Sequence, residues 1–557
     1  MTSQTSPLHQ PNKLLLKLPF ALASVFTLAG VFLIIRKVAA LTGGEFSYPL
    51  DDPYIHMQIA KNIVESGTWG INEGEFGSAS SSLLYTILLT ASFKLFSFNI
   101  FIPLVINLIA AIALLFVIHR WLRKQEISLM AEFIILTAIV LLGPLPVIIM
   151  NGMEHVLQAL FVFMYLVSFT DWYYKEGTSS VGKKVPLNLI LLAVLVVAVR
   201  YEGLFVVFGT CLILLFRKKI APAFLLGGAA FLPVILFGIY SIMKGSYFLP
   251  NSVLIKADGL ELSVRGIMEF AQRNLVDKLT IVNTDNFPVG APRPGISLLS
   301  TQRLLIILPL AFLFYRYSGE QKKTYGQLLL LLILISFLHL CLAATGWLYR
   351  YEAYLLMATI AVTGALLARN TGSISWKGFN HLAAKLCVAL LAFALFFPWV
   401  LRSTAAYSKI SQACINIHDQ QNQMAKFIKQ YYSGRTVALN DIGAVAFFGN
   451  VHTIDLWGLG NIDVARSKKG KYWTPEFLDS LVKKEKTEIA LVYDEWFSPE
   501  LLKRWTKVAT WKIPNNVICG SDVVNFYSIE PAAAADLRSK LTEFQSQLPA
   551  YVEVRFY

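Results

Sequence analysis

The sequence predicts a polytopic α-helical membrane protein with about 11 transmembrane helices and a C-terminal extracytoplasmic α/β domain. Three observations lead to this fold class. The 557-residue chain is 55% hydrophobic and only 15% charged, with a mean hydropathy of +0.56, whereas soluble domains carry about 25% charged residues. Apolar runs of membrane-spanning length recur up to residue 402. From residue 403 onward polar residues occur throughout and no such run follows.

The apolar runs define the predicted spans, since a helix needs roughly 20 apolar residues to cross the hydrocarbon core. The runs 187–199 and 203–216 are too short to cross fully. Their junction is therefore expected inside the outer leaflet, beside a water-filled cavity. The predicted spans are 18–42, 101–119, 129–150, 155–174, 187–199, 203–216, 221–243, 302–316, 325–346, 352–368 and 381–402.

Basic residues predict the orientation in the cytoplasmic membrane. With Lys13 and Lys17 inside and eleven spans, the basic loops all fall on the cytoplasmic side, as the positive-inside rule expects. Counting the run 81–97 as a crossing would place most of these loops outside, so it is predicted to be a re-entrant or interfacial helix. The same loops explain the formal charge of +14, and no motif indicates nucleic acid as a partner.

Composition also divides the chain into two predicted domains. Residues 1–402 form the transmembrane domain, with 43–100 as a first outer loop containing juxtamembrane helices, and 403–557 form a soluble domain outside the cytoplasm. In this tail, "NDIGAVAFFGN" has the pattern strand, helix, strand of a small α/β domain. The strand-like runs are 436–440, 452–458, 488–494 and 523–529, and the helical patterns are 410–430, 474–485 and 532–547.

Five polar clusters fall on the predicted outer side. They are "DDPYIH" at 51–56, "NGMEH" at 151–155, "RYEG" at 200–203, "LPNSVLIKA" at 249–257 and "LYRYE" at 348–352. Charged groups within membrane segments are costly and by default functional. So many polar clusters at one face predict a site on the outer side of the membrane.

Asp51 and Asp52 are the first candidates for chemistry. Paired carboxylates repel, which raises the pKa of one of them unless a cation or hydrogen bonds compensate. One can then act as a general base while the other orients a partner or binds a metal. Alternatively, the doublet only caps a helix that has Pro53 in its first turn and ends at Gly67. His56 lies four residues beyond Asp52 and can share its helix face.

Further charged residues stand at the ends of spans. Glu154 either caps the helix that follows it or belongs to the site. Arg200 and Glu202 flank the break between the short spans, where a structural ion pair is the alternative to a functional role. Together with Arg200, Arg350 and Lys256 would form a cationic pocket suited to a phosphate. Carboxylates at the mouth and cations behind them suit a lipid-linked phosphate donor that a hydroxyl attacks.

The order of these motifs resembles the GT-C superfamily of membrane glycosyltransferases, in particular protein O-mannosyltransferases, aminoarabinose transferases and arabinofuranosyltransferases. The resemblance rests on "DDPYIHMQIAKNIVESGTWGINEGE", "NGMEHVLQALF", "VRYEGLF", "SYFLPNSVLIKA" and "LYRYEAYLL", with "NDIGAVAFFGNVHTIDLWGLGN" in the tail. It implies a GT-C-like fold. It also implies an inverting transfer of a hexosyl or pentosyl group from a polyprenyl-phosphate sugar to an acceptor hydroxyl outside the cytoplasmic membrane.

The resemblance also implies roles for individual residues. The catalytic acid of the first outer loop maps onto Asp51 or Asp52, with Asp51 favoured, and a second acid that orients the acceptor maps onto Glu154. Lys256 is the favoured phosphate contact. Related oligosaccharyltransferases need a divalent metal, whereas protein O-mannosyltransferases are held not to, so metal dependence stays open. The remaining predicted residues are Arg200 and Arg350 at the phosphate, and His56, His155, Tyr201, Glu202, Asn251 and Tyr351 in the substrate pocket.

The implied partners are a polyprenyl-phosphate-linked sugar donor, a glycan, lipid or protein acceptor, and membrane lipids. Two alternatives to a transferase stay open. A transporter or flippase of lipid-linked sugars would also have many spans and an outer cavity. In a membrane-anchored carbohydrate-binding or assembly protein, the tail would do the work and the carboxylate doublet would only cap a helix. The location of the polar clusters at one face favours an enzyme over a transporter.

Overall fold

The computed structural model of the protein describes residues 15–176, 184–254, 268–269, 272, 301–370 and 382–557. Within these ranges, six helices are long and apolar enough to cross a membrane, and five further apolar helices are shorter. Each predicted span contains a helix. The total of eleven crossings stays a prediction.

One predicted span is interrupted. The run 129–150 forms two helices, because Gly143 and Pro144 stand between them and proline cannot donate a helical hydrogen bond. The helices of the first half are α1 (Leu18–Leu41), α2 (Asp52–Ser66), α3 (Leu83–Phe96), α4 (Ile102–Lys124), α5 (Leu129–Leu142), α6 (Leu145–Met150), α7 (His155–Glu176), α8 (Leu187–Val199), α9 (Gly203–Phe216), α10 (Ile220–Met243) and α11 (Asn251–Leu254).

The second half of the helical bundle leads directly into the C-terminal region. Its helices are α12 (Leu304–Tyr317), α13 (Lys323–Leu342), α14 (Ala353–Asn370) and α15 (Leu382–Ile417). The predicted domain boundary at residue 402 falls inside α15, so a continuous helix joins the two parts. A π-helical segment, His418–Asn422, and helix α16 (Gln423–Tyr431) follow.

The helices of the first outer loop lie between α1 and α4. Helix α2 ends at Gly67, whose left-handed φ of 71° confirms the predicted stop. Helix α3 is capped by Ser82, whose hydroxyl accepts a hydrogen bond from the Tyr85 N–H at 3.1 Å. Its 14 residues span roughly 21 Å, less than the hydrocarbon core of about 30 Å. Helices α5, α9 and α12 have the same length, so the re-entrant or interfacial placement of α3 stays a prediction.

The C-terminal region forms the predicted α/β fold. Its mixed sheet has the strand order β2-β1-β3-β5-β4-β6 among the described residues, with β1 parallel to β2 and β3 and the other pairs antiparallel. The four predicted strands are present, whereas the sequence analysis missed β4 and β6. The elements are β1 (Thr436–Leu439), α17 (Gly443–Gly449), β2 (His452–Asp455), α18 (Ile462–Lys469), α19 (Pro475–Lys484), β3 (Ile489–Val492), α20 (Pro499–Leu502), β4 (Thr506–Lys512), β5 (Val523–Ser528), α21 (Ala534–Phe544) and β6 (Glu553–Phe556).

Aromatic and aliphatic side chains cover both faces of this sheet. On one face, Phe427 of α16 and Phe544 of α21 pack against Trp511 and Phe526 of neighbouring strands. On the other face, residues of α18 and α19 form a second buried cluster with β1 and β3. Burial on both faces explains why β3 reads as the uninterrupted apolar run Ile489–Val492.

The C-terminal region is held against the first outer loop by Asp51. Asp51 stands at the N-cap position of α2, as the capping hypothesis expected, but its side chain makes no capping bond to that helix. Instead, the carboxylate accepts hydrogen bonds from the N–H groups of Gly443 at 2.6 Å and Ala444 at 2.8 Å, at the start of α17. The aspartate therefore joins two parts of the chain that lie far apart in sequence.

Gly443 is required for this close approach. A Cβ atom at this position would lie 2.2 Å from the Asp51 backbone oxygen and 2.7 Å from its Cγ atom. We expect Gly443→Ala to lower the free energy of unfolding by about 1–3 kcal/mol, the usual cost of overpacking, because backbone must move. Thermal unfolding in detergent measures the change.

Gly209→Ala is the matched control, since its added Cβ would meet its nearest neighbour, a methyl carbon of Leu334, at 3.4 Å, an ordinary contact distance. Equal unfolding midpoints for Gly443→Ala and this control would contradict the role assigned to Gly443.

Candidate functional site

A cavity of about 580 Å³ lies where the polar clusters meet. Residues of all five clusters line it, including Asp52, Met153, Arg200, Leu249 and Arg350. The junction between the short helices α8 and α9 forms part of its wall. A cavity beside this junction was expected from the sequence. The structure therefore gathers segments that are hundreds of residues apart around one chamber.

Asp52 and Arg350 form the central contact of the cavity. The Nη2 atom of Arg350 donates to Oδ2 of Asp52 at 2.6 Å. Asp52 lies in the first turn of α2, and Arg350 stands just before α14, so two helix starts position the pair. The Asp52 side chain is 29% exposed, whereas that of Arg350 is only 2% exposed. The carboxylate is thus accessible from the cavity, while the guanidinium group lies in its wall.

The Arg350 guanidinium group has unused donors. Its Nε and Nη1 atoms are buried and find no hydrogen-bond partner among the described residues. The Tyr351 ring lies 5.1 Å from the Arg350 guanidinium carbon and 5.5 Å from that of Arg200. Buried N–H groups without partners are costly, and a guanidinium group is suited to bind phosphate oxygens through two donors. The geometry therefore provides an anion site in the cavity wall.

The second cation of the cavity is already paired. Arg200 bonds Glu202 through Nε at 3.1 Å and Nη2 at 2.7 Å, and its Nη1 donates to Glu154 at 2.5 Å. The structural ion pair between Arg200 and Glu202, which was the alternative to a functional role, is therefore present. Ser81 also donates to Glu154, at 2.9 Å. Glu154 is fully buried, so its carboxylate lies behind the residues that line the cavity and is not exposed to solvent.

His56 connects α2 to the following segment. It lies on the same helix face as Asp52, and both line the cavity. Its Nδ1 atom lies 3.2 Å from the Thr86 hydroxyl and its Nε2 atom 3.3 Å from the Ser81 hydroxyl. Burial lowers the pKa of His56, so the imidazole is neutral near pH 7 and adds no positive charge to the cavity.

An apolar groove continues from the cavity between α9, α10 and α13. Its volume is about 660 Å³, and hydrophobic residues line it. Leu204, Phe205, Phe231 and Leu342 line both the groove and the cavity. A Cβ built at Gly228 would meet nothing within 4 Å, so this glycine leaves the groove open. The groove can accommodate a long hydrocarbon chain whose polar end reaches the cavity.

The other predicted residues are distributed as follows. Tyr201 and Glu202 line the cavity. His155 and Asn251 are fully buried and do not belong to its lining. Lys256, the favoured phosphate contact, lies outside the described residues.

Asp51, the favoured base, does not line the cavity. Its side chain contacts α17, as described above. Among the described residues, no group of three or more His, Cys, Asp or Glu side chains is arranged to hold a metal ion.

Three contributors were missed by the sequence analysis. Ser81 lies in the segment "SASSS" at 78–82 and carried no predicted role, although a serine run before a helix was a visible signal. Arg402 is a fully buried cation that follows an apolar run, which could have marked it as functional. Leu459 of the C-terminal region lines the cavity, and nothing local in the sequence indicates this.

The chain is similar in fold to a solved structure. ArnT from Cupriavidus metallidurans, solved with undecaprenyl phosphate, is similar at a TM-score of 0.53 and 11% identity, over 92% of this chain and 98% of that chain. This likeness concerns the fold alone, and it confirms the expected GT-C-like fold. Together with the apolar helices, it identifies a multi-pass membrane protein.

Other comparisons are weaker. The oligosaccharyltransferase of Archaeoglobus fulgidus in the apo form has a TM-score of 0.44 at 11% identity, over 95% of this chain and 76% of that one. AglB from the same organism, with an inhibitory peptide and a dolichol-phosphate, has a TM-score of 0.39 at 10% identity, over 95% and 75%. Residues 415–527 match a family described as a domain of unknown function (DUF8728). No curated protein matches the sequence.

The contact between Asp51 and α17 should depend on pH. Burial and the neighbouring Asp441 carboxylate raise the pKa of Asp51 to about 8, against 3.8 for an ordinary aspartate, although the two N–H groups of α17 act in the opposite direction. The folded protein therefore retains a proton that the unfolded chain releases. The free energy of unfolding should fall as pH rises from about 4 to 8, by at most ~1.4 kcal/mol per pH unit.

Asp441→Asn tests this pH dependence, because it removes one of the charges that raise the pKa of Asp51. Thermal unfolding between pH 5 and 8.5 should show a smaller decline for the variant than for the wild type. The exposed Asp463, on α18, provides the control Asp463→Asn, which should follow the wild type. Identical pH profiles for all three proteins would contradict the coupling of the two carboxyl groups.

Proposed function

We propose that the protein is an inverting glycosyltransferase that moves a sugar from a polyprenyl-phosphate donor to an acceptor hydroxyl outside the cytoplasmic membrane. The observation that carries this proposal is the pairing of Asp52 with Arg350 in a cavity that continues into an apolar groove. The Nε and Nη1 atoms of Arg350 find no hydrogen-bond partner within the described ranges. The similar fold of ArnT, solved with undecaprenyl phosphate, supports the donor class.

Asp52 is the proposed general base, in place of the initially favoured Asp51. Its carboxylate is accessible from the cavity, whereas Asp51 is held by two backbone N–H groups of α17. Asp52 takes the proton of the acceptor hydroxyl as the hydroxyl oxygen attacks the anomeric carbon. The bond from that carbon to the phosphate oxygen breaks on the opposite face, so the configuration inverts. Polyprenyl phosphate leaves with the bonding electrons.

Arg350 is the proposed phosphate-binding residue. The leaving phosphate is already ionised, so the protein must stabilise its charge and need not donate a proton. Two guanidinium groups and the carboxylates of Asp52 and Glu202 line the described cavity, and the buried Glu154 carboxylate pairs with Arg200 behind this lining. Another cation near the phosphate would therefore be favourable, and Lys256 remains the proposed source of it. Arg200 is assigned to the cavity wall, because two carboxylates already neutralise it.

Glu154 is assigned a positioning role at the acceptor side of the cavity. It is fully buried and accepts hydrogen bonds from Arg200 and Ser81. It can thus orient the acceptor only through these neighbours. His56 and Tyr351 complete the polar wall around the proposed reaction centre, and His155 and Asn251 support it from behind.

The proposed arrangement in the membrane follows the sequence. Residues 1–402 form the transmembrane catalytic domain with eleven crossings, and 403–557 form the extracytoplasmic domain. The polyprenyl chain lies in the apolar groove between α9, α10 and α13. The sugar is a hexose or a pentose, and the acceptor is a glycan, a lipid or a protein. Metal dependence stays open.

Asp52→Asn should abolish most of the activity without loss of donor binding. Removing a general base lowers turnover by about 10²–10⁴-fold, whereas the freed Arg350 keeps or tightens its contact with the phosphate. Purified protein is incubated with a panel of polyprenyl-phosphate sugars and acceptors, and release of polyprenyl phosphate is measured alongside its affinity.

The matched control is Asp51→Asn, at the adjacent position. It should lower stability more than turnover, because Asp51 contacts α17. Full turnover in Asp52→Asn with a large loss in Asp51→Asn would contradict the assignment of the base. Movement of an intact lipid-linked sugar across vesicles, with no release of polyprenyl phosphate from any donor, would favour the flippase alternative.

Arg350→Gln should weaken the binding of undecaprenyl phosphate about 10- to 100-fold, since hydrogen bonds to charged groups contribute about 1.5–3 kcal/mol each. Arg350→Lys should recover only part of this loss, because an ammonium group lacks the planar fork. Binding to detergent-solubilised protein is measured by lipid-dependent thermal shift or native mass spectrometry.

Arg435→Gln is the control for the Arg350 variants, because Arg435 is half exposed in its ion pair with Glu488 on the C-terminal region. The affinity of Arg435→Gln for undecaprenyl phosphate should equal that of the wild type. An unchanged affinity in Arg350→Gln would refute the phosphate site.

A further inference from the structure

The chain immediately before Arg350 adopts an unusual backbone conformation. Gly346, Trp347, Leu348 and Tyr349 have φ angles of 81°, 44°, 54° and 60°. These four consecutive residues form one left-handed helical turn, which the Arg350 N–H closes by donating to the Gly346 carbonyl at 3.2 Å. Side chains disfavour this conformation at every residue except glycine. Such a turn persists only where its surroundings hold it.

A buried ion pair holds this turn at both ends. One Glu352 oxygen accepts the Gly346 N–H at 2.8 Å, where the turn begins. The other accepts from Nη2 of Arg402 at 3.0 Å. The same Nη2 atom donates to the Tyr349 carbonyl at 2.5 Å, where the turn ends. The pair therefore contacts the first and the last residue of the left-handed segment.

Neighbouring side chains add to this support. The Tyr349 ring packs 4.9 Å from the Arg402 guanidinium carbon. In the middle of the turn, the Asn151 amide donates to the Leu348 carbonyl at 3.3 Å. Glu352 and Arg402 are both fully buried, and neither lines the cavity. They cannot touch a ligand there, and they act on the site only through the turn.

The turn determines where Arg350 points. Relaxation of Trp347 and Leu348 to right-handed or extended angles would reverse the chain direction directly before Arg350. Its guanidinium group would then leave both Asp52 and the cavity wall. The position of the anion site therefore depends on the conformation of the turn.

We propose that Glu352 and Arg402 are positioning residues that hold the strained turn and thereby fix the Arg350 guanidinium group for phosphate binding. This inference rests on the proposed function, because the quantity that the pair sets is the affinity for the donor phosphate. Arg402 lies in α15, the helix that continues into the C-terminal region. The pair thus connects that helix to the phosphate site.

The test replaces both partners at once, Glu352→Gln with Arg402→Gln, so that no uncompensated charge stays buried. The probe is undecaprenyl phosphate, and its affinity is measured together with the unfolding midpoint. We expect about a tenfold loss of affinity in folded protein. Adding Trp347→Asn should restore at least part of it, because asparagine adopts left-handed angles more readily than tryptophan.

A matched pair at the other end of α14 provides the control. Arg369 bonds Glu320 through Nε at 2.8 Å, near the end of α14, whereas Arg350 stands just before the start of that helix. Replacing both by glutamine should lower the unfolding midpoint and leave the affinity for undecaprenyl phosphate unchanged. A similar loss of affinity in this control would overturn the inference, since it would show a general effect of lost stability.

Arg402→Lys keeps the test decisive if the double variant does not fold. Lysine retains the charge opposite Glu352 but lacks the Nε donor that bonds Glu352 at 3.3 Å and the planar geometry that directs Nη2 toward the Tyr349 carbonyl. We expect a loss of affinity of about threefold, and an unchanged affinity would overturn the inference.

The proposed function is tested separately by Arg350→Gln. Weaker binding in Arg350→Gln with wild-type binding in the Glu352 and Arg402 variants would reject only the positioning role. Absence of binding by the wild type would reject both.

Discussion

The contact between Asp52 and Arg350 is the constraint on which the site depends, because it joins two helix starts that lie 298 positions apart in the sequence. A buried guanidinium group needs an anionic partner, and Asp52 supplies it. In the proposed reaction a donor phosphate takes over part of this role. Donor binding would then release the Asp52 carboxylate toward the acceptor hydroxyl. Phosphate binding and activation of the base would thus be coupled through one cation.

The C-terminal region contacts the site at several points, although the helical bundle supplies most of its lining. It contributes Leu459 to the cavity wall, holds Asp51 with the start of α17, and is joined through α15 to Arg402. These contacts reach the site from several directions. Because Asp51 directly precedes Asp52, the hydrogen bonds that hold the Asp51 side chain also fix the backbone position of Asp52. The family of unknown function that matches residues 415–527 therefore includes both Leu459 and the start of α17.

Local patterns predicted most of the fold, and long-range contacts account for what they missed. Apolar runs predicted a helix in each proposed span, since membrane crossing requires local hydrophobicity, and the polar clusters identified most of the polar residues that line the cavity. The Asp51 side chain accepts from the Gly443 N–H, 392 residues away, and no local pattern around Asp51 indicates this contact. The left-handed turn contains a single glycine, Gly346, and depends on Arg402 from another helix. Strand β4 alternates only weakly, and β6 has four residues.

In the proposed site, one cavity binds the phosphate of a lipid-linked sugar beside Asp52. An experimental structure of the protein with undecaprenyl phosphate in lipid nanodiscs would test this arrangement. We expect phosphate oxygens within hydrogen-bond distance of the Arg350 guanidinium group and the first isoprene units between α9 and α10. A phosphate bound elsewhere on the protein, with Arg350 still turned only to Asp52, would contradict it.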